Sequence, residues 1–211
     1  EIEFLYTRND FLNDNEDEFH FEEKIGKVFN CGEAEYCMPW MTSYVAFPKK
    51  TLLILNMGTH VHNVSHYQEG IASLFQNLQR IHKPDDHIVF RTTVPGHHGC
   101  QHATGPYQSV EEFQKHLVPD IHSWHLFDQY NQIVQSAVRQ YNQNHLQESP
   151  EKRRNAVEIL NVNPMTVLRK DGHTSGPEKC LSCKNDDCLH YVLPGPLDWW
   201  NHLLYSNLLN M

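Results

Sequence analysis

The sequence predicts an α/β domain in three layers around a mostly parallel sheet, because short apolar runs alternate along the chain with longer amphipathic patterns. The run TLLILN at 51–56 is typical of a strand that is buried on both faces. Apolar residues then recur at helical spacing over 66–82. Because this alternation continues to the end of the chain, helices are expected on both faces of one sheet.

Five further segments complete the predicted order. The sequence HIVFRTT at 87–93 predicts the second strand, and the prolines and glycines of 95–106 predict a long loop. An apolar side over 119–145 predicts a long helix, and 156–160 predicts a third, short strand. Residues 197–209 predict a closing helix after the turn Pro-Gly-Pro, and we expect its apolar stripe, which includes Trp199 and Trp200, to pack in the core.

The expected ligand site lies beyond the carboxyl ends of the strands, as in other open α/β sheets. In this sequence those ends are 58–61, 94–99 and the loop that follows Leu160. We therefore expect these three loops to converge.

Composition favours a single globular domain and argues against two classes of partner. A chain of 211 residues with 39% hydrophobic residues can bury one full core. The net charge is -9 and no basic stripe is present, which argues against nucleic acid. No run approaches the roughly 20 apolar residues of a membrane-spanning helix, so we expect no membrane segment in this chain.

The first residues suggest that the chain begins at a cut boundary. Glu1 is not Met, and Ile2, Phe4, Leu5 and Tyr6 already form a pattern rich in strand-forming residues. We therefore expect a strand here, and a natural protein that starts further upstream.

The cysteines predict disulfides in a secretory compartment. Six of them lie in turn-rich segments, and the sequon Asn63-Val64-Ser65 fits the same compartment. Cys31 can close a small loop with Cys37, and further pairs are expected among Cys100, Cys180, Cys183 and Cys188. The alternative is a zinc-stabilised Cys3His interaction module, in which Cys180, Cys183, Cys188 and His190 are the ligands.

The segment DCLHYVLPGPLDWWN at 187–201 resembles the C-terminal motif of the trichome birefringence-like and related PC-esterase families, which belong to the SGNH/GDSL hydrolases. LLILNMGTH at 52–60, FRTTVPGH at 90–97 and ILNVNPMTVLRKDGH at 159–173 are similar to further blocks, in the order that the family has them. The resemblance covers nearly the whole chain. It implies an SGNH-like sandwich.

The resemblance also implies a serine-type catalytic triad, of which this chain holds two members. Asp187 would orient the imidazole of His190, and His190 would take the proton from a serine. That serine belongs to a Gly-Asp-Ser turn after the first strand of the fold, and the 211 residues contain no such tripeptide. We therefore expect 1–211 to be a single SGNH-like domain that lacks its N-terminal nucleophile strand.

Further candidate residues lie at the ends of the predicted strands. The resemblance places Gly58 and His60 where the superfamily supplies oxyanion donors, although Gly58 can also simply end a strand. Arg91 and His97 are expected to contact a sugar or an acyl donor, the alternative being a surface ion pair and a solvated ring. His173 lies in an Asp-Gly-His block for which we expect substrate contact or loop anchoring.

The predicted function is a carbohydrate O-acetyltransferase or acyl-esterase of the secretory pathway, in the Golgi lumen or secreted. Its partners would be a carbohydrate acceptor and an acyl donor, for which acetyl-CoA is a candidate, and no other cofactor or metal is expected. A non-catalytic carbohydrate-binding relative is the first alternative. The zinc-stabilised module is the second.

Overall fold

A computed structural model describes residues 3–7, 12, 40–119, 122–149, 153–174 and 187–209. Within these ranges the strands are β1 (Leu52–Leu55), β2 (His87–Arg91) and β3 (Val157–Leu160). The α-helices are α1 (Met41–Ala46), α2 (Val64–Ile81), α3 (Val110–His116), α4 (Phe127–Leu146), α5 (Asn163–Thr166) and α6 (Pro196–Leu208). No helix of the described ranges combines the length and the apolar content needed to cross a bilayer.

The three strands form one parallel sheet in the order β1-β2-β3. In the pairing of β1 with β2, Leu52 lies opposite His87 and Leu55 lies opposite Phe90. Three successive residues of the central strand β2, from Ile88 to Phe90, are fully buried. Because successive side chains of a strand point to opposite faces, both faces of the sheet are covered at β2. The predicted α/β class with a mostly parallel sheet is confirmed.

The edge strand β1 is covered less well than β2. Leu52 and Ile54 are 37% and 45% exposed, whereas Leu55 is 4% exposed. Leu52 and Ile54 lie two residues apart, so they point to the same face of the sheet. One face of this apolar edge strand is therefore open to solvent.

One compact unit comprises residues 1–90 and 129–159 and holds most of the sheet. Asn63 caps α2, because its side chain accepts hydrogen bonds from the N–H groups of Ser65 and His66. In the core of this unit the rings of Tyr67 and Tyr130 stack with their centroids 4.1 Å apart. The sequon asparagine is thus an exposed helix cap.

The other compact unit comprises residues 91–128 and 160–211. Thr92, directly after β2, connects the two segments of this unit. Its N–H donates to the carbonyl of Leu160 at 3.0 Å. The Thr92 hydroxyl accepts from the N–H groups of Val162 and Asn163, at 3.0 and 3.2 Å. Our expectation that 1–211 forms a single domain stays a prediction.

One helix boundary and one additional helix differ from the sequence-based expectation. The long helix predicted over 119–145 begins only at Phe127, because Ser123 has a left-handed φ of 56° and a 3₁₀ turn, Trp124–Leu126, intervenes. Helix α3 lies in a segment to which we assigned no element. Its signal was the pair Ser109 and Glu112: the Ser109 hydroxyl accepts from the Glu112 N–H at 3.2 Å, as in a capping box.

Two apolar assignments were wrong. Residues 3–7 form no strand, and Phe4 is 92% exposed. Trp199 was expected to pack in the core with Trp200, yet it is 61% exposed. Trp200 does pack inward, since its indole N–H donates to the Thr166 hydroxyl at 2.8 Å. Adjacent positions on a helix point in directions about 100° apart, so both tryptophans could not share one buried face.

Candidate functional site

Asp187 and His190 form a hydrogen-bonded pair within one tight loop. The Asp187 Oδ2 lies 2.8 Å from the His190 Nδ1. The other carboxylate oxygen, Oδ1, accepts from the main-chain N–H groups of Leu189 and His190, at 3.2 and 3.0 Å. This is the local turn that aspartate side chains favour. The three-residue spacing therefore brings the carboxylate back onto the ring.

The pair has the geometry of a base and its orienting carboxylate. Asp187 accepts only, so the His190 Nδ1 carries the proton between them and the neutral ring presents a lone pair at Nε2. The His190 side chain is 73% exposed and that of Asp187 is 29% exposed. Partial burial alone would raise the pKa of Asp187, but the hydrogen bonds from His190 and Leu189 outweigh it and lower that pKa. The carboxylate is thus charged at neutral pH.

Three contacts fix this loop to the segment that follows β2. Cys188 forms a disulfide with Cys100, and its carbonyl accepts from the N–H of His97 at 3.0 Å. The hydroxyl of Tyr191 donates to the carbonyl of Pro95 at 2.7 Å. Because Cys188 precedes His190 and Tyr191 follows it, the loop is held on both sides of His190.

The disulfide bears on the predicted cysteine chemistry. Cys100 and Cys188 belong to the set in which we expected a pair, and they are joined. Cys188 is therefore not a thiolate ligand in this structure, and the His190 ring faces Asp187. Both observations argue against the Cys3His zinc alternative. Cys31, Cys37, Cys180 and Cys183 lie outside the described residues.

The main chain of His190 is also held by the segment around His173. Residues His173 and Tyr191 form an isolated antiparallel bridge. The N–H of Thr174 donates to the His190 carbonyl at 3.0 Å, and the N–H of Val192 donates to the Gly172 carbonyl at 2.9 Å. The Lys-Asp-Gly-His block thus lies directly beside the predicted catalytic histidine.

His97 and His173, both predicted as substrate-binding residues, are 1% exposed. The His97 Nδ1 lies 2.6 Å from the His173 Nε2, and the His97 Nε2 lies 2.8 Å from the Val167 carbonyl oxygen. Burial lowers the pKa of His97 to about 4, although the Val167 carbonyl favours protonation. This burial favours the loop-anchoring role for His173 and indicates a similar role for His97. For both residues, contact with substrate stays a prediction.

Arg91, at the end of β2, lies over the ring of Trp200. Its guanidinium carbon is 4.8 Å from the centroid of the Trp200 ring, a cation-π distance. Burial lowers the pKa of Arg91 to about 10, and the electrostatic influence of Tyr191 opposes that change. The side chain is therefore a cation at neutral pH, close to the residue that follows His190. Its predicted contact with a sugar or an acyl donor stays a prediction.

Gly58 and His60 lie in the turn that follows β1. Gly58 is buried and has a φ of 151°, a conformation that favours glycine. Its carbonyl accepts from the N–H of Val61 at 3.0 Å, and His60 is half-buried. Both belong to the compact unit that does not contain Asp187 and His190. Their predicted oxyanion role stays a prediction.

Two residues that support the site were missed by sequence reasoning. Thr92 joins the ends of β2 and β3, and Tyr191 anchors the loop through its hydroxyl. Both lie within the blocks that carried the resemblance, next to Arg91 and His190. A polar side chain beside a predicted site residue was the available signal.

Comparison with known proteins gives a match to one family model, described as "PC-Esterase: GDSL/SGNH-like Acyl-Esterase family found in Pmr5 and Cas1p", over residues 40–207. Protein trichome birefringence-like 13 of Arabidopsis thaliana is 31% identical over 145 residues, which are 66% of this chain and 33% of the relative. Xyloglucan O-acetyltransferase 1 of the same plant is 41% identical over 59 residues, 25% of this chain and 14% of the relative.

A third relative extends the comparison to rice. Probable xylan O-acetyltransferase 9 of Oryza sativa subsp. japonica is 42% identical over 62 residues, 25% of this chain and 14% of the relative. The matched part of this chain thus spans no more than about a third of any of these three relatives.

Proposed function

The chain belongs to the PC-esterase family, and we propose that it supplies the aspartate and the histidine of a serine-type O-acyltransferase or acyl-esterase that acts on carbohydrate. The observation that carries the proposal is the 2.8 Å contact between the Asp187 carboxylate and the His190 Nδ1. It leaves the opposite nitrogen of an exposed ring ready to take a proton.

In the proposed reaction, the His190 Nε2 takes the proton of a serine hydroxyl while the serine oxygen attacks the acyl carbonyl. Collapse of the tetrahedral intermediate breaks the bond to the donor's leaving group, which receives the proton from His190. A sugar hydroxyl then attacks the acyl-serine and gives its proton to His190, which returns it to the serine oxygen. In hydrolysis, water takes the place of the sugar. Asp187 stabilises each imidazolium state.

The serine is proposed to come from outside these 211 residues, since they contain no Gly-Asp-Ser tripeptide. The exposure of the β1 edge supports this. Leu52 and Ile54 would be covered by a further strand and by the helix that accompanies it. Such a strand would extend the sheet on the side of β1, because β2 already occupies the other side.

The carbohydrate substrate class is supported by the relatives whose printed names are xyloglucan and xylan O-acetyltransferase. The acyl group would be acetyl, and acetyl-CoA is a candidate donor. The Cys100–Cys188 disulfide supports a secretory location, in the Golgi lumen or outside the cell. A non-catalytic carbohydrate-binding relative remains the competing function.

The test compares the native full-length protein that contains this chain with the 211-residue chain, using an activated acetyl ester. The full-length protein should hydrolyse the ester, and His190→Ala should lower kcat/KM by roughly a hundredfold or more. His202→Ala, which also removes an exposed imidazole, is the matched control and should retain activity. The 211-residue chain alone should be inactive.

Two outcomes would contradict the proposal. Activity of the full-length protein that survives His190→Ala would show that His190 is not the general base. Turnover by the 211-residue chain that depends on His190 would show that its nucleophile lies within these residues. Mass spectrometry after brief exposure to the ester should locate the acetyl group on a serine of the full-length protein.

A further inference from the structure

His97 and His173 form a buried pair of imidazoles, and their contacts extend to the main chain of His190. Their facing nitrogens, Nδ1 of His97 and Nε2 of His173, are 2.6 Å apart. Each outer nitrogen faces a main-chain carbonyl: the His97 Nε2 lies 2.8 Å from Val167 O, and the His173 Nδ1 lies 3.2 Å from His190 O. The pair therefore links two carbonyls through four ring nitrogens.

The number of protons needed for these contacts exceeds what two neutral rings carry. Carbonyl oxygens only accept, so both outer nitrogens must donate, and the contact between the rings needs a third proton. Two neutral imidazoles carry two ring protons in all. The three contacts thus form together only when the pair holds one additional proton and a charge of +1. We assign the additional proton to His173, because the Tyr191 ring stacks on the His173 ring and favours a cation there.

The surroundings of the pair are aromatic on one side and ionic on another. The ring of Tyr191 stacks on that of His173 with centroids 4.3 Å apart, a geometry that favours a cation. Lys170 and His98 oppose protonation of His97, whereas Asp171, which is paired with Arg169 at 2.9 Å, favours it. Among the residues that the structure describes, the titratable and charged groups that face the pair are Lys170, Asp171, His98, Tyr107 and Tyr191.

We propose that His173, held by His97 as a buried imidazolium, is a positioning residue for His190. The inference rests on the proposed function, in which His190 is the general base. The His190 side chain is 73% exposed, so packing alone does not fix its ring. Its main-chain carbonyl is held by the His173 ring and by the Thr174 N–H. With the main chain fixed, the hydrogen bond to Asp187 suffices to set the orientation of the ring.

The first test observes the rings directly, by NMR of the ¹⁵N-histidine-labelled 211-residue chain. Both nitrogens of His173 should be protonated at neutral pH, and His190 should show the tautomer with the proton on Nδ1. In His173→Leu, His190 should become a mixture of tautomers. His173→Asn keeps a donor near the position of Nδ1 and should preserve the His190 signal. His97→Asn, which leaves His173 in place, should mix the tautomers as the leucine variant does.

A matched control separates positioning from general loss of packing. His82 is also a buried imidazole with partners at both nitrogens, the Tyr141 hydroxyl and the Asp86 carbonyl. His82→Asn should lower thermal stability without changing the tautomer of His190. If His173→Leu does not fold, His173→Asn and His97→Asn are compared instead.

The second test is kinetic and uses the full-length protein. His173→Leu should lower kcat by roughly tenfold or more at nearly unchanged KM, because a displaced base slows chemistry and not binding. His173→Asn should restore kcat to within about threefold of the unaltered protein. An unchanged His190 tautomer in folded His173→Leu, or a His173 ring without a proton on Nδ1, would overturn the positioning role. A His173 ring that is protonated on Nδ1 alone would overturn its assignment as an imidazolium. A changed tautomer with unchanged kcat would support positioning and instead remove His190 from the proposed reaction.

Discussion

The main-chain N–H of His97 donates a hydrogen bond to the carbonyl oxygen of Cys188, at 3.0 Å. The N–H of Cys100 points to the sulfur of the same cysteine, at 3.2 Å, and the two cysteines are joined covalently. The segment after β2 and the loop that carries Asp187 and His190 therefore meet backbone to backbone. Their close approach leaves little room for side chains between them.

Gly96→Ala should disturb this approach. A Cβ at Gly96 would collide with the Cys188 carbonyl oxygen and with the Trp124 ring, and neither a backbone atom nor a buried indole can move away freely. We expect the free energy of unfolding to fall by about 1–3 kcal/mol, as for other overpacked sites. Gly105→Ala is the control, because a Cβ there meets nothing within 4 Å. Denaturant unfolding of the two variants measures the difference, and equal stability would contradict the close packing.

Removal of the disulfide should destabilise the protein and loosen the loop. It links residues 88 positions apart, so it restricts the unfolded chain strongly. We expect Cys100→Ser and Cys188→Ser each to lower the free energy of unfolding by about 2–5 kcal/mol. The double variant should be no worse than either single one, because all three remove the same bond.

The same variants test the zinc alternative. If Cys188 were a metal ligand and Cys100 were not, Cys188→Ser alone would be harmful, and added zinc would stabilise the unaltered protein. If the two cysteines form a disulfide, both single variants should lose the same amount of stability, and a chelator should not change the stability of the unaltered protein. Non-reducing peptide mapping should recover Cys100 and Cys188 in one linked peptide.

Much of the sheet could be predicted from the sequence because its determinants are local. The run at 52–55 consists of Leu and Ile, and β1 occupies those residues. Helix α2 follows from the spacing of residues such as Tyr67, Ile71 and Leu78, all buried. The start of α4 could not be predicted, since it depends on the left-handed conformation of Ser123 and not on apolar spacing.

The candidate site shows the same division between local and distant determinants. Asp187 and His190 are three residues apart, so their spacing alone made a hydrogen bond plausible. The contact between His97 and His173 spans 76 positions, and both residues looked like exposed site residues in the sequence. Only the folded chain shows that their rings are buried together, because burial depends on elements from distant parts of the sequence.

Stability should fall as the pH drops below about 6.5, in part through His82. Burial lowers the pKa of His82 to about 4, so the unfolded chain binds a proton in this range that the folded chain does not. Protonation therefore favours the unfolded state as the pH falls. Between the two pKa values, the free energy of unfolding should drop by about 1.4 kcal/mol for each pH unit. Above pH 6.5, His82 should not contribute to the pH dependence of the free energy of unfolding. Unfolding measured from pH 7.5 to 5 tests the sign.

A variant isolates the contribution of His82 to this slope. His82→Gln cannot titrate and should reduce the dependence on pH by about one proton. His66→Gln, an exposed position on α2, is the control. An unchanged slope in His82→Gln would show that His82 is not a neutral buried ring, and lower stability at pH 7.5 alone would not be informative about titration.

Asp187→Asn should separate the two functions of this carboxylate. An asparagine Oδ1 can still accept from the N–H groups of Leu189 and His190, so the turn should remain and stability should change by less than about 1 kcal/mol. At the position of Oδ2 the amide donates, which disfavours a proton on the His190 Nδ1 and with it the tautomer needed at Nε2. We expect kcat of the full-length protein to fall on the order of 10²–10⁴-fold. Asp187→Ala should lose similar activity and additional stability, because it also removes the turn acceptor. Equal kcat for Asp187→Asn and the unaltered protein would mean that the carboxylate serves only the turn, since the charge and the acceptor at Oδ2 are what the substitution removes.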